Sequence, residues 1–128
     1  MRLARLAAVP ALALAIVGCA PAKATPASTN PQVSQVMISG FRYQPATIDI
    51  PAGTKVTWTN ADAILHTVTS GTSTKKDDFG NYATTPTGIF DGTMDDQGKS
   101  FSFTFTTPGE YAYFCSRHNN MTGRVVVR

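Results

Sequence analysis

The residues best suited to chemistry lie in one short segment near the C-terminus, YFCSRHNNM, residues 113–121. Within it, Cys115, His118 and Met121 follow one another at intervals of three residues. The polar residues between them suit a turn, so the thiol, the imidazole and the thioether can converge. The chain's other histidine, His66, stands in ILHTVTS on a different predicted strand and could reach the same point. Four donor groups of graded softness could therefore hold one metal ion.

The role of Cys115 is not settled by its residue type. Of the chain's two cysteines, Cys115 alone falls inside the predicted folded domain. A disulfide-bonded sandwich of the immunoglobulin type needs two cysteines in the domain. A lone cysteine in a folded domain is buried and inert, free and reactive, or a metal ligand. Taken by itself, Cys115 leaves these three roles open.

The combination of donors narrows the choice of metal. One thiolate, two imidazoles and a distant thioether form the ligand set of a blue-copper electron-transfer centre. Zinc would favour a fourth cysteine, histidine or carboxylate, and methionine is not among its usual ligands. We therefore predict one copper ion per chain. A multicopper oxidase or nitrite reductase needs further histidines, and both histidines are already used, so the sequence favours a carrier over an enzyme.

Strands must position these donors, because the alternation of side chains after residue 32 has a period of two. KVTWT (55–59) alternates apolar and polar residues, and SFSFTFT (100–106) places three phenylalanines on one face. Turn residues separate several such segments, which favours an antiparallel sandwich or barrel. The further predicted strands are 33–39, 46–50, 65–69, 110–115 and 123–128.

Residues 71–88, GTSTKKDDFGNYATTPTG, do not follow this rhythm. The segment is polar, and its two lysines are followed directly by two aspartates. We interpret it as a long surface loop, with room for a helical turn and with its charges forming a solvated face. Its role is left open.

The N-terminus has the layout of a signal peptide. Arg2 and Arg5 precede an uncharged, mostly apolar run from Leu6 to Gly18, which is too short for a comfortable membrane span. The run ends in IVGC, which resembles the lipobox of bacterial lipoproteins, with Cys19 as the residue that receives the lipid. An uncleaved membrane anchor and ordinary cleavage to a soluble secreted protein are the alternatives.

These features divide the chain into three parts. Residues 1–18 are the predicted signal peptide. Residues 19–32 are the lipidated Cys19 and a flexible tether rich in Ala, Pro, Ser and Thr. Residues 33–128 are the folded domain. This organisation predicts an exported protein, anchored by lipid to the extracytoplasmic or periplasmic face of a bacterial membrane.

The charge of the domain gives no support to nucleic-acid binding. The whole chain carries a formal net charge of +3, but residues 33–128 contain eight basic and eight acidic side chains. A domain without a basic stripe does not match the electrostatic pattern of a nucleic-acid-binding protein.

From Phe41 to Arg128 the sequence resembles the plastocyanin-like blue-copper proteins, or cupredoxins. FRYQPATIDIPAGTKVTWTNAD resembles their N-terminal strands, and HTVTSG matches the strand that carries the first histidine. GEYAYFCSRHNNMTGRVVV matches the ligand loop and the closing strand, with the short Cys-x-x-His-x-x-Met spacing of the amicyanins. The resemblance implies an all-β, Greek-key β-sandwich or barrel of about eight strands.

The resemblance also implies roles for the metal ligands. His66, Cys115 and His118 would be the three strong ligands, and Met121 the weak axial one. His118 would lie near the surface and serve as the electron port, framed by Met121 and by Ile64 or Leu65.

Several neighbouring residues would support these ligands. Tyr111 aligns with a core tyrosine whose hydroxyl must find a hydrogen bond. Asn60 and Thr67 would orient His66 and donate a hydrogen bond to the Cys115 sulfur. Asn119 replaces the proline that commonly follows the second histidine, which implies a less rigid loop.

The predicted function is a single-electron carrier whose copper alternates between Cu(II) and Cu(I). Its partners would be a redox donor and acceptor of unknown identity, and the protein would be a monomer. Two rival hypotheses remain: a lipoprotein that stores, delivers or senses copper, and an adhesion or assembly β-domain in which Cys115 is merely buried.

Overall fold

The computed structural model describes residues 33–128. The predicted signal peptide (1–18) and the tether with its lipidated Cys19 (19–32) lie outside the described residues. No helix within 33–128 has the length and apolar character needed to cross a membrane.

The described part of the chain folds into nine strands arranged in two sheets, and the all-β prediction is confirmed. One sheet has the order β2-β1-β4-β7 and the other the order β3-β9-β8-β5-β6, and together they form a Greek-key sandwich. The strands are β1 (Val33–Ile38), β2 (Tyr43–Gln44), β3 (Thr47–Ile50), β4 (Thr54–Asn60), β5 (His66–Lys75), β6 (Tyr82–Met94), β7 (Ser100–Phe105), β8 (Gly109–Phe114) and β9 (Thr122–Val127).

The strand pattern had suggested antiparallel sheets, but each of the two sheets contains one parallel strand pair. β1 pairs with β4 and β3 pairs with β9 in parallel, while the other strand pairs are antiparallel. The period of side-chain alternation is the same in both kinds of pair, so it carries no information on strand direction.

The core lies between the two sheets and is centred on Trp58. Val56 and Trp58 on β4 are fully buried, as their alternation with polar neighbours predicts. The Trp58 ring packs against aromatic rings from both sheets, at centroid distances of 5.5–6.3 Å. These neighbours are Phe90, Phe101, Phe105 and Tyr113. This packing fixes the separation of the two sheets and hence the ends of the strands that carry the candidate ligands.

Residues 71–88 are not the surface loop that the sequence suggested. β5 continues to Lys75 and β6 begins at Tyr82, so the two strands form a long hairpin whose turn comprises residues 76–81. The prediction was wrong because both faces of the hairpin are largely exposed beyond Gly71, and the alternation of apolar and polar residues disappears there. The abundant threonines still favour strands.

Gly71 allows the hairpin to change register between its two halves. Its φ of 134° is rarely adopted by residues with a side chain, and a Cβ atom there would collide with the backbone of Thr85 and Pro86. Pro86 is tolerated within β6 because β6 is an edge strand. The two strands of the hairpin therefore remain paired beyond the register shift at Gly71, where the hairpin extends past the core of the sandwich.

Candidate metal centre

Cys115 and Met121 stand at the two ends of a tight loop between β8 and β9. Cys115 directly follows β8 and Met121 directly precedes β9. Three backbone hydrogen bonds close the loop: Cys115 N–H to the Met121 carbonyl at 3.1 Å, His118 N–H to the Cys115 carbonyl at 3.3 Å, and Met121 N–H to the His118 carbonyl at 2.8 Å. We call residues 115–121 the ligand loop. Its hydrogen bonds hold Cys115, His118 and Met121 on one small turn.

His66 reaches the ligand loop because its strand lies beside β8. It is the first residue of β5, and Thr69 on the same strand pairs with Phe114. The two imidazole rings converge on the sulfur of Cys115, with His66 Nδ1 at 3.9 Å and His118 Nδ1 at 3.5 Å from Sγ. The structure therefore brings together donors that are 49 residues apart in sequence.

This geometry fits a single metal ion. The candidate ligand atoms of His66, Cys115 and His118 all lie within 4.8 Å of one another. Bonds from a metal to thiolate and imidazole are about 2.3 and 2.0 Å in zinc sites, so a sulfur and a nitrogen up to about 4.3 Å apart can share an ion. The two sulfur–nitrogen separations, 3.9 and 3.5 Å, are below this limit.

Burial excludes water from most of this cluster. His66 and Cys115 are fully buried and Met121 is 2% exposed, whereas His118 is half-buried. Met121 belongs to the hydrophobic core cluster and ends the same loop, directly before β9. A buried cysteine and a buried methionine on one loop offer the soft donors that favour an ion such as copper.

Thr67 connects the two segments that carry the candidate ligands. Its backbone N–H donates to the Cys115 sulfur at 3.3 Å, and its hydroxyl accepts the Ser116 N–H at 2.8 Å. The carbonyl of Thr67 accepts a hydrogen bond from the buried Tyr43 hydroxyl. The sequence resemblance pointed to Thr67 as a donor to the sulfur, and the group that donates is its backbone amide.

Asn60 acts on the segment before His66 rather than on the ring. Its amide nitrogen donates to the Ile64 carbonyl at 2.8 Å, and its side-chain oxygen accepts the Asp62 N–H at 3.0 Å. Asn60 is fully buried at the end of β4. It fixes the turn that leads into β5, so its effect on His66 is indirect.

The two tyrosines of β8 differ from what the resemblance implied. Tyr111 is only half-buried, and its hydroxyl donates to the Thr107 carbonyl at 2.8 Å. The tyrosine packed into the core is Tyr113, whose ring lies over Gly123 of the neighbouring strand. A Cβ atom at position 123 would collide with that ring. Gly123 therefore makes room for a large side chain two residues before Cys115.

The surface around His118 differs in part from the predicted frame. Met121 is too deeply buried to contribute to that surface. The ring of Phe41 takes this place: it is 46% exposed and lies edge-on to the His118 ring at a centroid distance of 4.9 Å. Ile64 is also exposed, at 43%. Burial is the main cause that lowers the pKa of His118, which favours the neutral, metal-binding form of its ring.

The long hairpin contacts the ligand loop. The Ser73 hydroxyl on β5 donates a hydrogen bond to the carbonyl of Asn119. This contact restrains the loop at Asn119, where the sequence resemblance had implied a less rigid loop. Sequence reasoning missed Ser73, because the two residues are 46 positions apart and the hairpin itself was not predicted.

Replacing Ser73 with alanine should loosen the ligand loop. A hydrogen bond of this kind contributes about 1 kcal/mol, which is about a fivefold change in an equilibrium constant. We expect a chelator to remove copper from Ser73→Ala a few times faster than from the wild type. Ser102→Ala is the matched control, because it removes a serine hydrogen bond to Thr57 on the other sheet. Equal rates in both variants would show that the hairpin does not support the loop.

A β-sandwich with a buried cysteine and two histidines converging at one end defines the cupredoxin class of proteins. The model of the copper-binding proteins of the plastocyanin/azurin family matches residues 32–128. Amicyanin-alpha from Methylorubrum extorquens is 35% identical over 123 residues, which is 94% of this chain and 86% of that protein. The chloroplastic plastocyanin of Tetradesmus obliquus is 34% identical over 94 residues, covering 67% of this chain and 58% of that protein.

Solved structures agree with these relatives. A purple cupredoxin from Nitrosopumilus maritimus superimposes with a TM-score of 0.58 at 30% identity, covering 74% of this chain and 99% of that one. Amicyanin from Paracoccus versutus gives 0.54 at 26% identity, with coverages of 80% and 86%. The chain therefore belongs to the plastocyanin/azurin family of copper-binding proteins. Its cofactor is one copper ion, and its candidate site is formed by His66, Cys115, His118 and Met121.

Proposed function

We propose that this protein carries single electrons between two redox proteins, and that it does not act as an enzyme. His66, Cys115 and His118 are the proposed strong ligands, and Met121 the proposed axial ligand. The observation that carries the proposal is the convergence of both imidazole Nδ1 atoms on the buried Cys115 sulfur, at 3.5 and 3.9 Å. Membership of the plastocyanin/azurin family supports it.

The protein's contribution to electron transfer is a site that changes little between oxidation states. When bound, copper supplies the one-electron couple between Cu(II) and Cu(I). His66 is held by strand pairing, and the ligand loop is closed by its three internal hydrogen bonds. The Thr67 amide donates to the Cys115 sulfur, and hydrogen bonds to this sulfur tune the reduction potential.

Electrons would enter and leave through the half-buried edge of His118. The exposed Phe41 ring contacts this histidine, and Ile64 precedes His66 by two residues with 43% of its surface exposed. A small, partly apolar contact of this kind suits a partner that binds weakly and dissociates quickly. A monomeric protein leaves this surface free for both partners in turn.

The proposal is tested by titrating the purified mature domain with Cu(II). One equivalent should give an intense blue colour from thiolate-to-copper charge transfer, and ascorbate should bleach it reversibly. A colourless protein that binds Cu(II) with ordinary spectra would favour copper storage, delivery or sensing. The absence of stoichiometric binding would leave Cys115 as a buried structural residue and would refute the carrier function.

We further propose that lipid on Cys19 anchors the protein to the extracytoplasmic face of a bacterial membrane. The IVGC motif after a short apolar run supports this proposal, and the Ala- and Pro-rich residues 20–32 would let the domain stand off the surface. Export also agrees with membership of a family that includes plastocyanins and amicyanins.

The Cys19→Ser variant should lose its membrane attachment. Without an acceptor thiol no lipid can be added, so the variant should move from the detergent phase to the aqueous phase in a detergent phase-separation assay. Cys115→Ser serves as the control, because it changes the other cysteine and should leave the partition unchanged. A Cys19→Ser protein that remains in the detergent phase would favour an uncleaved apolar anchor.

A further inference from the structure

The Asp62 carboxylate lies behind His66, on the side of the ring that faces away from the copper site. Its Oδ2 atom is 3.0 Å from His66 Nε2, while Nδ1 of the same ring faces the Cys115 sulfur. Because Nδ1 is directed at the metal position, the proton of the neutral ring is on Nε2. This N–H donates a hydrogen bond to the Asp62 carboxylate. This arrangement fixes both the tautomer and the orientation of the ring.

The same carboxylate is held by the turn between β1 and β2. Its Oδ1 accepts the Gly40 N–H at 2.8 Å, and its Oδ2 accepts the Phe41 N–H at 3.1 Å. Both oxygens of the side chain therefore face N–H donors, as suits an acceptor-only carboxylate. Asp62 directs this carboxylate, rather than a neutral acceptor, at His66.

The turn between β1 and β2 has an unusual backbone conformation at the two residues whose N–H groups bind Asp62. Gly40 and Phe41 both have a φ of 60°, and Phe41 is the one non-glycine residue with positive φ among residues 33–128. An L-residue in this conformation is destabilised relative to the right-handed region. Two hydrogen bonds to a charged acceptor compensate for this. They also hold the Phe41 ring edge-on against His66 and His118, at 5.5 and 4.9 Å.

The charge has a consequence for the metal. A hydrogen bond from Nε2 to a carboxylate increases the electron density on the ring and makes Nδ1 a stronger donor. A stronger donor and a nearby negative charge both favour Cu(II) over Cu(I). The interaction is only partly screened by solvent, because the His66 side chain is fully buried and that of Asp62 is 18% exposed.

We propose that Asp62 is a positioning residue for the copper site, which fixes the His66 ring and lowers the reduction potential. This inference rests on the proposed function for its redox part. Its structural part depends only on the hydrogen bond between Asp62 and His66.

Potentiometry of the copper-loaded Asp62→Asn variant tests the redox part. Asparagine can still accept an amide hydrogen bond but carries no charge. We expect the blue colour to persist. The equilibrium between Cu(II) and Cu(I) should shift about tenfold toward Cu(I), which raises the reduction potential by about 59 mV for a one-electron couple. An unchanged potential would overturn the proposal.

Asp49→Asn is the matched control for the loss of charge. Asp49 pairs with Val126, five residues along β9 from Met121 and so about 16 Å from the site. The Asp49→Asn variant should therefore have the same reduction potential as the wild type. A shift of equal size in both variants would attribute the effect to net charge and overturn the specific role of Asp62.

Nitrogen-edited proton NMR of the wild type tests the structural part without depending on the folding of a variant. In the metal-free and Cu(I)-loaded protein, the Nε2 proton of His66 should exchange slowly with water, whereas the half-buried His118 provides a fast-exchanging reference. A rapidly exchanging His66 proton would overturn the positioning role. A wild type that binds no copper but shows this protected proton would refute the proposed function and the redox part together, and leave the hydrogen bond established.

Discussion

The Cys115→Ser variant should lose the blue colour completely. The colour comes from charge transfer between a thiolate and Cu(II), and a serine hydroxyl does not supply it. We expect copper affinity to fall by about a hundredfold or more, because removing a direct ligand should cost at least as much as the 10–100-fold loss that follows removal of an outer-shell partner. Copper titration followed by visible spectroscopy measures both effects.

The fold of Cys115→Ser should survive, which separates a loss of chemistry from a loss of structure. Serine is slightly smaller than cysteine, and Ser116 and Thr67 show that hydroxyl groups are accommodated beside this site. Thermal unfolding of the metal-free variant should therefore stay close to that of the metal-free wild type. A variant that keeps an intense blue colour would show that Cys115 is not the ligand.

The Met121→Leu variant should keep the colour and gain a higher reduction potential. Leucine retains the buried volume but removes the axial thioether, whose donation stabilises Cu(II) more than Cu(I). We expect a shift of about tenfold to a hundredfold in the balance between the two states, or about 59 to 118 mV for a one-electron couple. Redox titration of the loaded protein measures it.

Met94→Leu is the matched control for this change. Met94 is as deeply buried as Met121 and lies directly opposite His66 on β6, but it is outside the ligand loop. Its replacement should therefore leave the potential close to that of the wild type. If Met94→Leu shifted the potential and Met121→Leu did not, the axial assignment would have to be exchanged between the two methionines.

The supporting residues show where sequence reasoning reached its limit. Asn60 and Thr67 were singled out by their positions in the family resemblance, although Thr67 stands where several members have Asn. Only the structure shows that Thr67 uses its backbone amide and that Asn60 fixes the turn. Tyr43 and Ser73 gave no sequence signal, because their partners are 24 and 46 residues away. Asp62 offered one, since it precedes His66 by four residues and a carboxylate near a ligating histidine is a common arrangement.

The sequence by itself determined the strands that have one buried face, the three-residue spacing of the ligand loop and the choice of soft donors. These features are local, because alternation and spacing depend only on residues that are close together in the sequence. Tertiary structure alone decided the strand directions, the long hairpin beyond Gly71, the place of Phe41 at His118 and the three hydrogen bonds to the Asp62 carboxylate. Each of these features depends either on contacts between distant segments or on strands that are exposed on both faces. Neither long-range contacts nor fully exposed strands produce a periodic pattern in the sequence.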